Sequence, residues 1–535
     1  MRDNTGCLCA EFASLSHPTQ DFSRREFLQA LTALGAACAS PALRAQGPLR
    51  FADDPFRLGV ASGYPRPDGA VIWTRLAPDI AQATGGRAPL TIPVHWEVAH
   101  DEKFASIATS GDADALPEWA HSVHVEPAGL EADRWYWYRF IAGGVASPVG
   151  RLRTAPAADA GAARLRFAFA SCQQYEQGWY GAYRHMQRDD LDLVVFLGDY
   201  IYESSWGREH VRKHDRAEPY TLDEYRARYA LYKSDADLQA AHQAFPWIVT
   251  WDDHEVDNDY ANDRPEDGMP AAQFLARRAA AYRAYYEHMP LPSAMRPDGP
   301  NMRIYTRLAW GRLAQFHLVD GRQYRAHQVC ATRPGGSTVV DPEVCEDIRD
   351  ASRSLLGAEQ EAWLARGFAA SRAQWNILAQ QTLMAQLDRK PGAGRRFWTD
   401  GWDGYPAARR RLLEAMAAST LANPVVIGGD VHMNFVADLK SDFDDEKSPV
   451  VASEFCGTSI TSQGPTQKSV DAILPENPHI KLARSEHRGY VRASVGGGKF
   501  SAELIALDTV KRQDSRASVL ARFVVEDGRP GPQRA

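Results

Sequence analysis

Residues 192–203 read Asp-Leu-Val-Val-Phe-Leu-Gly-Asp-Tyr-Ile-Tyr-Glu, and this stretch decides how the rest of the chain is understood. Leu193–Leu197 is a continuous apolar run with two β-branched residues. That pattern predicts a strand buried on both faces, as in a sheet covered by helices. The run stops at Gly198. Asp199 then stands at the carboxyl end of the strand, with Tyr202 three residues later. Ligand chemistry in α/β proteins gathers at that end, but Gly-Asp is also an ordinary turn. The other strand ends decide between the two.

Outward from this stretch, strand-like runs alternate with helical patterns, which marks an α/β domain. Strands are predicted at 165–170, 247–251, 313–319, Trp375–Ala379 and 424–427. Helices are predicted at 221–239, Ala271–His288, Ala358–Ala370 and 407–418, the first opening on a capping box of Thr221 and Glu224. Residues 490–525 return to an alternating strand texture. Upstream, 51–154 is β-rich, with short runs at hairpin spacing that predict a small antiparallel β-sandwich. Residues 155–163, rich in Ala, read as a linker to a catalytic domain over 164–525.

Four strand ends carry side chains able to bind metals. Ser171 and Cys172 follow the first strand; Gly198, Asp199 and Tyr202 follow the second. After 247–251 come Asp252, Asp253, His254 and Glu255, with Asp257 and Asn258 beyond. After 424–427 come Gly428, Gly429, Asp430, Val431 and His432. Taken singly, each has a plainer reading. Cys172 is a small buried hydrophobe, Tyr202 a half-buried aromatic, and the acidic run a helix N-terminus or a solvated turn. Asp430 and His432 fall on one side of an extended segment, which is both a ligand spacing and a common pattern. Together they ask for a shared partner, because polar groups at buried strand ends must be satisfied. A metal centre is the expectation that covers all four.

The chain has 535 residues, 44% hydrophobic and 24% charged, with a net charge of −7. No Lys/Arg block or basic helix stands out, which argues against a duplex nucleic-acid binder. Near the start, Ser23-Arg24-Arg25-Glu26-Phe27-Leu28 precedes an apolar run over 28–39 and then Pro41-Ala42-Leu43-Arg44-Ala45. These are the charged, apolar and cleavage regions of a signal peptide over 1–45. The paired arginines resemble a twin-arginine export signal. Cleavage after Ala42 or after Ala45 fits equally. The run is short and holds Gln29 and Thr32, so no permanent membrane anchor is expected. A periplasmic or secreted location follows, with the twin-arginine machinery as partner. That route carries folded proteins and suits one that takes up metal before export. Of seven cysteines, Cys7, Cys9 and Cys38 would leave with the signal. Cys330 and Cys345 bracket a polar loop and are expected disulfide partners in an exported protein. Cys172 and Cys456 remain unpaired.

The sequence resembles the alkaline phosphatase D (PhoD-type) family of the metallophosphatase superfamily. The resemblance rests on 58–63 with 71–76, Ala170-Ser171-Cys172, 198–203, 225–232, 251–258, 320–325, 429–432 and 454–459. It implies an α/β (α+β) fold: a four-layer sandwich of two mixed sheets flanked by helices, preceded by a small antiparallel β-sandwich. It further implies that Cys172, where many relatives carry Asp, binds iron as a thiolate. Asp199 would bridge two metals, and Tyr202 would bind the same iron as a phenolate. Asp253 stands at the Asn of the relatives' Gly-Asn-His motif and would bind the second metal, with Asn258 a further ligand. Asp430 and His432 stand where relatives carry two histidines. His254 would stabilise the transition state or protonate the leaving group. The implied cofactors are Fe(3+) and Ca(2+); thiolate and phenolate suit iron, and an oxygen set suits calcium.

The implied reaction is hydrolysis of small phosphomonoesters or phosphodiesters by a hydroxide shared between the metals. Arg322, in Asp320-Gly321-Arg322, is a candidate to clamp a phosphate oxygen, with a structural ion pair as the equal alternative. Many relatives carry Thr at the position of Gly321. Two other functions fit less closely: a phospholipase D-like diesterase, and a metal- or phosphate-binding relative without catalysis. The second predicts gaps in the ligand set, and the sequence has none. Loops 204–219 and 388–405 are expected to close over the site.

Overall fold

Every residue of Leu193–Leu197 is buried, and the segment is a strand. It pairs in parallel with Arg164–Ala170 on one side and Pro246–Thr250 on the other. The computed structural model describes residues 51–77, 90–332 and 335–535, so the expected signal at 1–45 lies outside the described residues. The three parallel strands are the centre of a ten-stranded sheet. One flank is antiparallel and C-terminal: Gly489–Gly496, Lys499–Leu507, Ala517–Glu526 and Arg529–Arg534. The other flank is N-terminal: Val60–Arg66, Gly69–Arg75 and Ser122–Val125.

A second sheet has seven strands. Its parallel part is Ala314–Leu318, Trp375–Ala379, Pro424–Gly428 and Val450–Cys456. Alternation along these strands assigns their two faces. Trp375, Ile377 and Ala379 join the core that contains Phe167 and Phe169 of the first sheet. Leu378 points the other way, into a core shared with Leu364 and Leu412 of the helices Ala358–Ala370 and Pro406–Ala418. Period-two side chains leave no alternative to this split. Between the sheets, Phe167 meets Phe316 edge-on at 5.3 Å, and Phe455 stacks on Phe500 at 5.6 Å. Each such aromatic contributes roughly 1.5–3 kcal/mol through burial. The outer face of the first sheet is covered by Leu222–Lys233, Ala236–Ala244 and Ala271–His288, whose Tyr282 stacks on Trp251 at 4.1 Å. The layers run helix, sheet, sheet, helix.

Two sequence expectations differ from what is observed. The single helix expected over 221–239 is two. Asp235 accepts hydrogen bonds from Asp237 N (3.0 Å) and Leu238 N (3.2 Å), so it caps a new helix instead of continuing the old one. The expected β-sandwich over 51–154 is shared between two sheets. Ile92–Ala99, Ile107–Ala115, Trp135–Ala142, Val145–Ala146 and Gly150–Arg153 form a separate five-stranded sheet. Val60–Arg66 instead pairs in parallel with Pro246–Thr250, with Ser62 opposite Pro246. An open edge on that fully buried strand would expose unpaired backbone groups, and the N-terminal strands cover it. Phe51–Ala535 is one compact unit.

Cys330 and Cys345 are joined by a disulfide. The segment it closes contains Val339–Val340, which pairs with Phe397–Trp398. Cys456 is buried among apolar side chains, and its thiol donates to the Gly429 carbonyl (3.1 Å). Packing accounts for it.

Candidate metal centre

Three of the chemistry-bearing strand ends leave their sheets through residues in the left-handed backbone region. The φ values are 59° at Cys172, 58° at Asp199, 64° at Asp430 and 55° at His432. Such conformations cost a non-glycine residue of order 1–3 kcal/mol and cluster at functional sites. Gly198 has φ 109°, and a Cβ there would lie 2.5 Å from Asp252 Cβ. Glycine therefore lets two strand ends touch. Glu255 ties them further, accepting from the N–H groups of Asp199 (3.1 Å), Tyr200 (2.6 Å) and Asp252 (2.9 Å). The loop after Val450–Cys456 stitches the two sheets together: Ile460 N donates to Ser171 O (2.9 Å), and Ser462 N to Cys172 O (3.3 Å). The carboxyl ends of both sheets thus meet at one place.

Ligand atoms gather there in three groups, each within 4.8 Å: Cys172, Asp199 and His432; Asp199, Asp253 and His254; Asp199, Asp252 and Asp430. Asp199 belongs to all three. Tyr202 joins the first group, its phenol donating to Asp199 Oδ2 (2.8 Å) and accepting from Ser462 Oγ (2.8 Å). His432 Nδ1 lies 2.9 Å from the Gln463 carbonyl, which only accepts, so the ring proton is on Nδ1. Its Nε2 lone pair then faces Tyr202 OH at 3.2 Å. Burial, and next the charge of Arg488, lower the His432 pKa to about 3 and keep the ring neutral.

These residues fit a cation. Asp199 Oδ1, Asp252 Oδ2, Asp253 Oδ1 and Asp430 Oδ2 are buried without a hydrogen-bond partner. Asp253 Oδ1 has Arg322 Nη2 at 3.3 Å, but out of hydrogen-bond alignment. Buried unpaired carboxylate oxygens are strongly unfavourable. Burial pushes Asp199 and Asp430 well above the ordinary carboxylate range. Burial, followed by the charge of Asp199, also pushes the Cys172 thiol and the Tyr202 phenol up. Cations displace such protons and satisfy the oxygens together. His254 behaves differently. Burial alone would lower its pKa, but Glu203, Asp253 and Asp199 outweigh that and hold it well above the usual value. Its Nδ1 donates to Glu203 Oε2 at 2.7 Å.

The centre opens into a cavity of about 690 Å³ lined on its polar side by Asp253, His254, Asn258, Asp430 and His432. Asn258 Nδ2 donates to Glu266 Oε2 (2.9 Å), so its amide oxygen is the atom it can offer a cation. Both loops expected to close the site reach this cavity, through Ser204 and Trp206 and through Arg389 and Trp398. Arg322 does not match the clamp expectation. It is fully buried, and its guanidinium binds Asp252 through Nε, Asp400 through Nη1 (2.8 Å) and Asp253 through Nη2. Its donors face three buried carboxylates, with hydrogen bonds to Asp252 and Asp400, and none is presented to a substrate.

Sequence reasoning placed Asp252 and Glu255 at a metal-capable strand end without a role, and missed Glu203 and Ser462 as parts of the site. The family resemblance gave a ligand role to Asp253 and none to Asp252. The chain leaves the strand after Thr250, and both carboxylates turn inward. Glu203 stood in the opening stretch itself, whereas nothing local marks Ser462.

The geometry can be set beside known proteins. The PhoD-like phosphatase family matches residues 167–504, and its N-terminal domain matches residues 39–156. Alkaline phosphatase D of Bacillus subtilis (strain 168) is 45% identical over 533 residues, spanning 96% of this chain and 90% of that protein. A solved structure of PhoD is also 45% identical and superposes with a TM-score of 0.86, covering 91% of this chain and 93% of the other. The chain belongs to the PhoD-like phosphatase family and is a phosphoric ester hydrolase.

Proposed function

We propose that this hydrolase is metal-dependent and exported, and that it cleaves small phosphomonoesters and phosphodiesters at a centre organised on Asp199. The observation that carries the reading is the membership of Asp199 in all three ligand groups, with orphaned carboxylate oxygens on every side of it. Cys172, Tyr202 and His432 with Asp199 suit Fe(3+); Asp253, Asn258, Asp252 and Asp430 with Asp199 suit Ca(2+). Cations held there would neutralise the ester's charged oxygens and acidify a shared water. The protein's own part is to exclude bulk water, hold the ester and move protons. His254 lines the cavity and is fixed by Glu203, whose carboxylate favours its protonated form, so it serves as the acid that protonates the leaving oxygen. Among the described residues no helix is long and apolar enough to cross a membrane. Export rests on the paired arginines of the N-terminal segment, and fractionation of producing cells tests it.

Metal content, a visible spectrum and hydrolysis of nitrophenyl mono- and diesters test the centre. A phenolate on ferric iron colours a protein violet. Tyr202→Phe is expected to remove that band while circular dichroism stays unchanged; a band that persists takes Tyr202 out of the ligand set. His254→Asn should lower kcat by about 10²–10⁴-fold on alkyl phosphates. On nitrophenyl esters, whose leaving group needs little protonation, the loss should be much smaller. Equal losses on both would remove the acid role.

A further inference from the structure

Arg389 is held unlike the other arginines around the centre. Arg322 and Arg325 both pair with Asp400, and Arg409 pairs with Asp403. Arg389 lines the same cavity as Asp253, Asp430 and His432, yet among the described residues no hydrogen bond or ion pair holds its guanidinium, which lies over the Trp398 ring at 5.1 Å. Its side chain is reached by solvent, but it stands inside the bowl.

The backbone under this free cation is tightly fastened. Arg389 N donates to Arg396 O (2.9 Å). Asp388 Oδ1 accepts from Lys390 N and Arg396 N, both at 2.9 Å. Asn477 grips Asp388 from both sides, accepting from its N–H (2.8 Å) and donating to its carbonyl (2.9 Å). Trp398 is fixed as well, donating to Ser337 Oγ at 2.8 Å. A fastened backbone that presents an unpaired guanidinium on the wall of the cavity it shares with Asp253, Asp430 and His432 is the arrangement expected of an anion receptor.

We propose that Arg389 binds a non-bridging oxygen of the phosphoester, one of the two tasks that sequence alone offered for Arg322, and that it favours doubly charged monoesters over singly charged diesters. This rests on the phosphoester reading of the cavity. A guanidinium offers two parallel donors to a phosphate, and the dianion gains more from the same charge.

The test compares metal-loaded wild type with Arg389→Met and Arg389→Lys. For Arg389→Met, the KM for para-nitrophenyl phosphate and the inhibition constant for inorganic phosphate should each rise by about 10-fold or more. The KM for the corresponding bis(nitrophenyl) diester should rise less, and Arg389→Lys should recover part of the loss. Metal content, visible band and Tm should stay at wild-type values. An unchanged KM and phosphate inhibition, or an equal loss on both esters, overturns the proposal. So does a variant that loses its metal, because Arg389 would then support the fold and not the substrate. Should wild type hydrolyse neither ester, the phosphoester reading fails by itself. Calorimetric titration of inorganic phosphate into wild type and Arg389→Met then decides alone: tenfold weaker binding supports the assignment, and equal binding ends it.

Discussion

Asp199→Asn is expected to lower kcat/KM on nitrophenyl phosphate by about 10³-fold and to leave the purified protein depleted of metal. The substitution is nearly isosteric, so the loss would come from charge. Asp199 Oδ2 already accepts from Tyr202, while Oδ1 has no partner at all. An amide could keep the first contact but gives a cation much less at the second. The same change should act in the opposite direction on the metal-free fold. Asp199 has its pKa raised by burial and by the neighbouring acids. A carboxyl whose folded pKa stands above its unfolded value binds more protons folded than unfolded, so stability falls as pH rises above about 4. Asn does not titrate. In chelator, the variant should therefore lose less stability than wild type between acid and neutral pH. Thermal melts across pH, with and without metal, check both halves. Activity within tenfold of wild type would remove Asp199 from the hub.

Much of this centre was legible because strand ends in an α/β sheet gather at one edge. The apolar run at Leu193–Leu197 announced a doubly buried strand, and the bounds expected for Ala271–His288, Ala358–Ala370 and Trp375–Ala379 are those observed. These elements carry their signal locally, in period and caps. What escaped was set by long-range pairing. Val60–Arg66 joins the central sheet through a parallel register with Pro246–Thr250, and no local pattern encodes that partner. Asp235 broke a helix because its side chain caps better than it propagates. Arg322 drew two equal readings, phosphate clamp and structural ion pair, for a similar reason. Arg322 follows a strand and looks available, yet its three carboxylates arrive from 252, 253 and 400. Arg389 sits in the loop 388–405 expected to close over the site, but nothing local singles it out from the loop's other arginines, Arg395 and Arg396. Sequence shows that an arginine is present, but only the fold shows which carboxylates have already claimed it.

Arg322→Met is expected to cost about 3–5 kcal/mol of stability, the range for breaking a buried ion pair and leaving its partners unpaired. Burial alone would lower the Arg322 pKa, and Asp252, Asp253 and Asp400 more than offset it. Removing the guanidinium strands those carboxylates in the interior. Arg322→Lys should recover only a fraction, because an ammonium is a point charge and cannot serve three acids through a planar fork. A substrate clamp predicts the reverse: KM rises and the fold holds. Denaturant unfolding of the metal-loaded variants, read beside KM, separates the two. Stability within about 1 kcal/mol of wild type, well short of the buried-pair range, together with a tenfold higher KM would return Arg322 to the substrate. The pairing also explains why the arginine belongs to the site although it touches no substrate. By holding one oxygen of Asp252 it leaves Oδ2 free, and Asp253 Oδ1 stays unsatisfied beside it. Arg322→Met should therefore lose metal along with stability. Adding Asp400→Asn should restore part of the stability but none of the metal, because Asp400 stands outside the ligand groups.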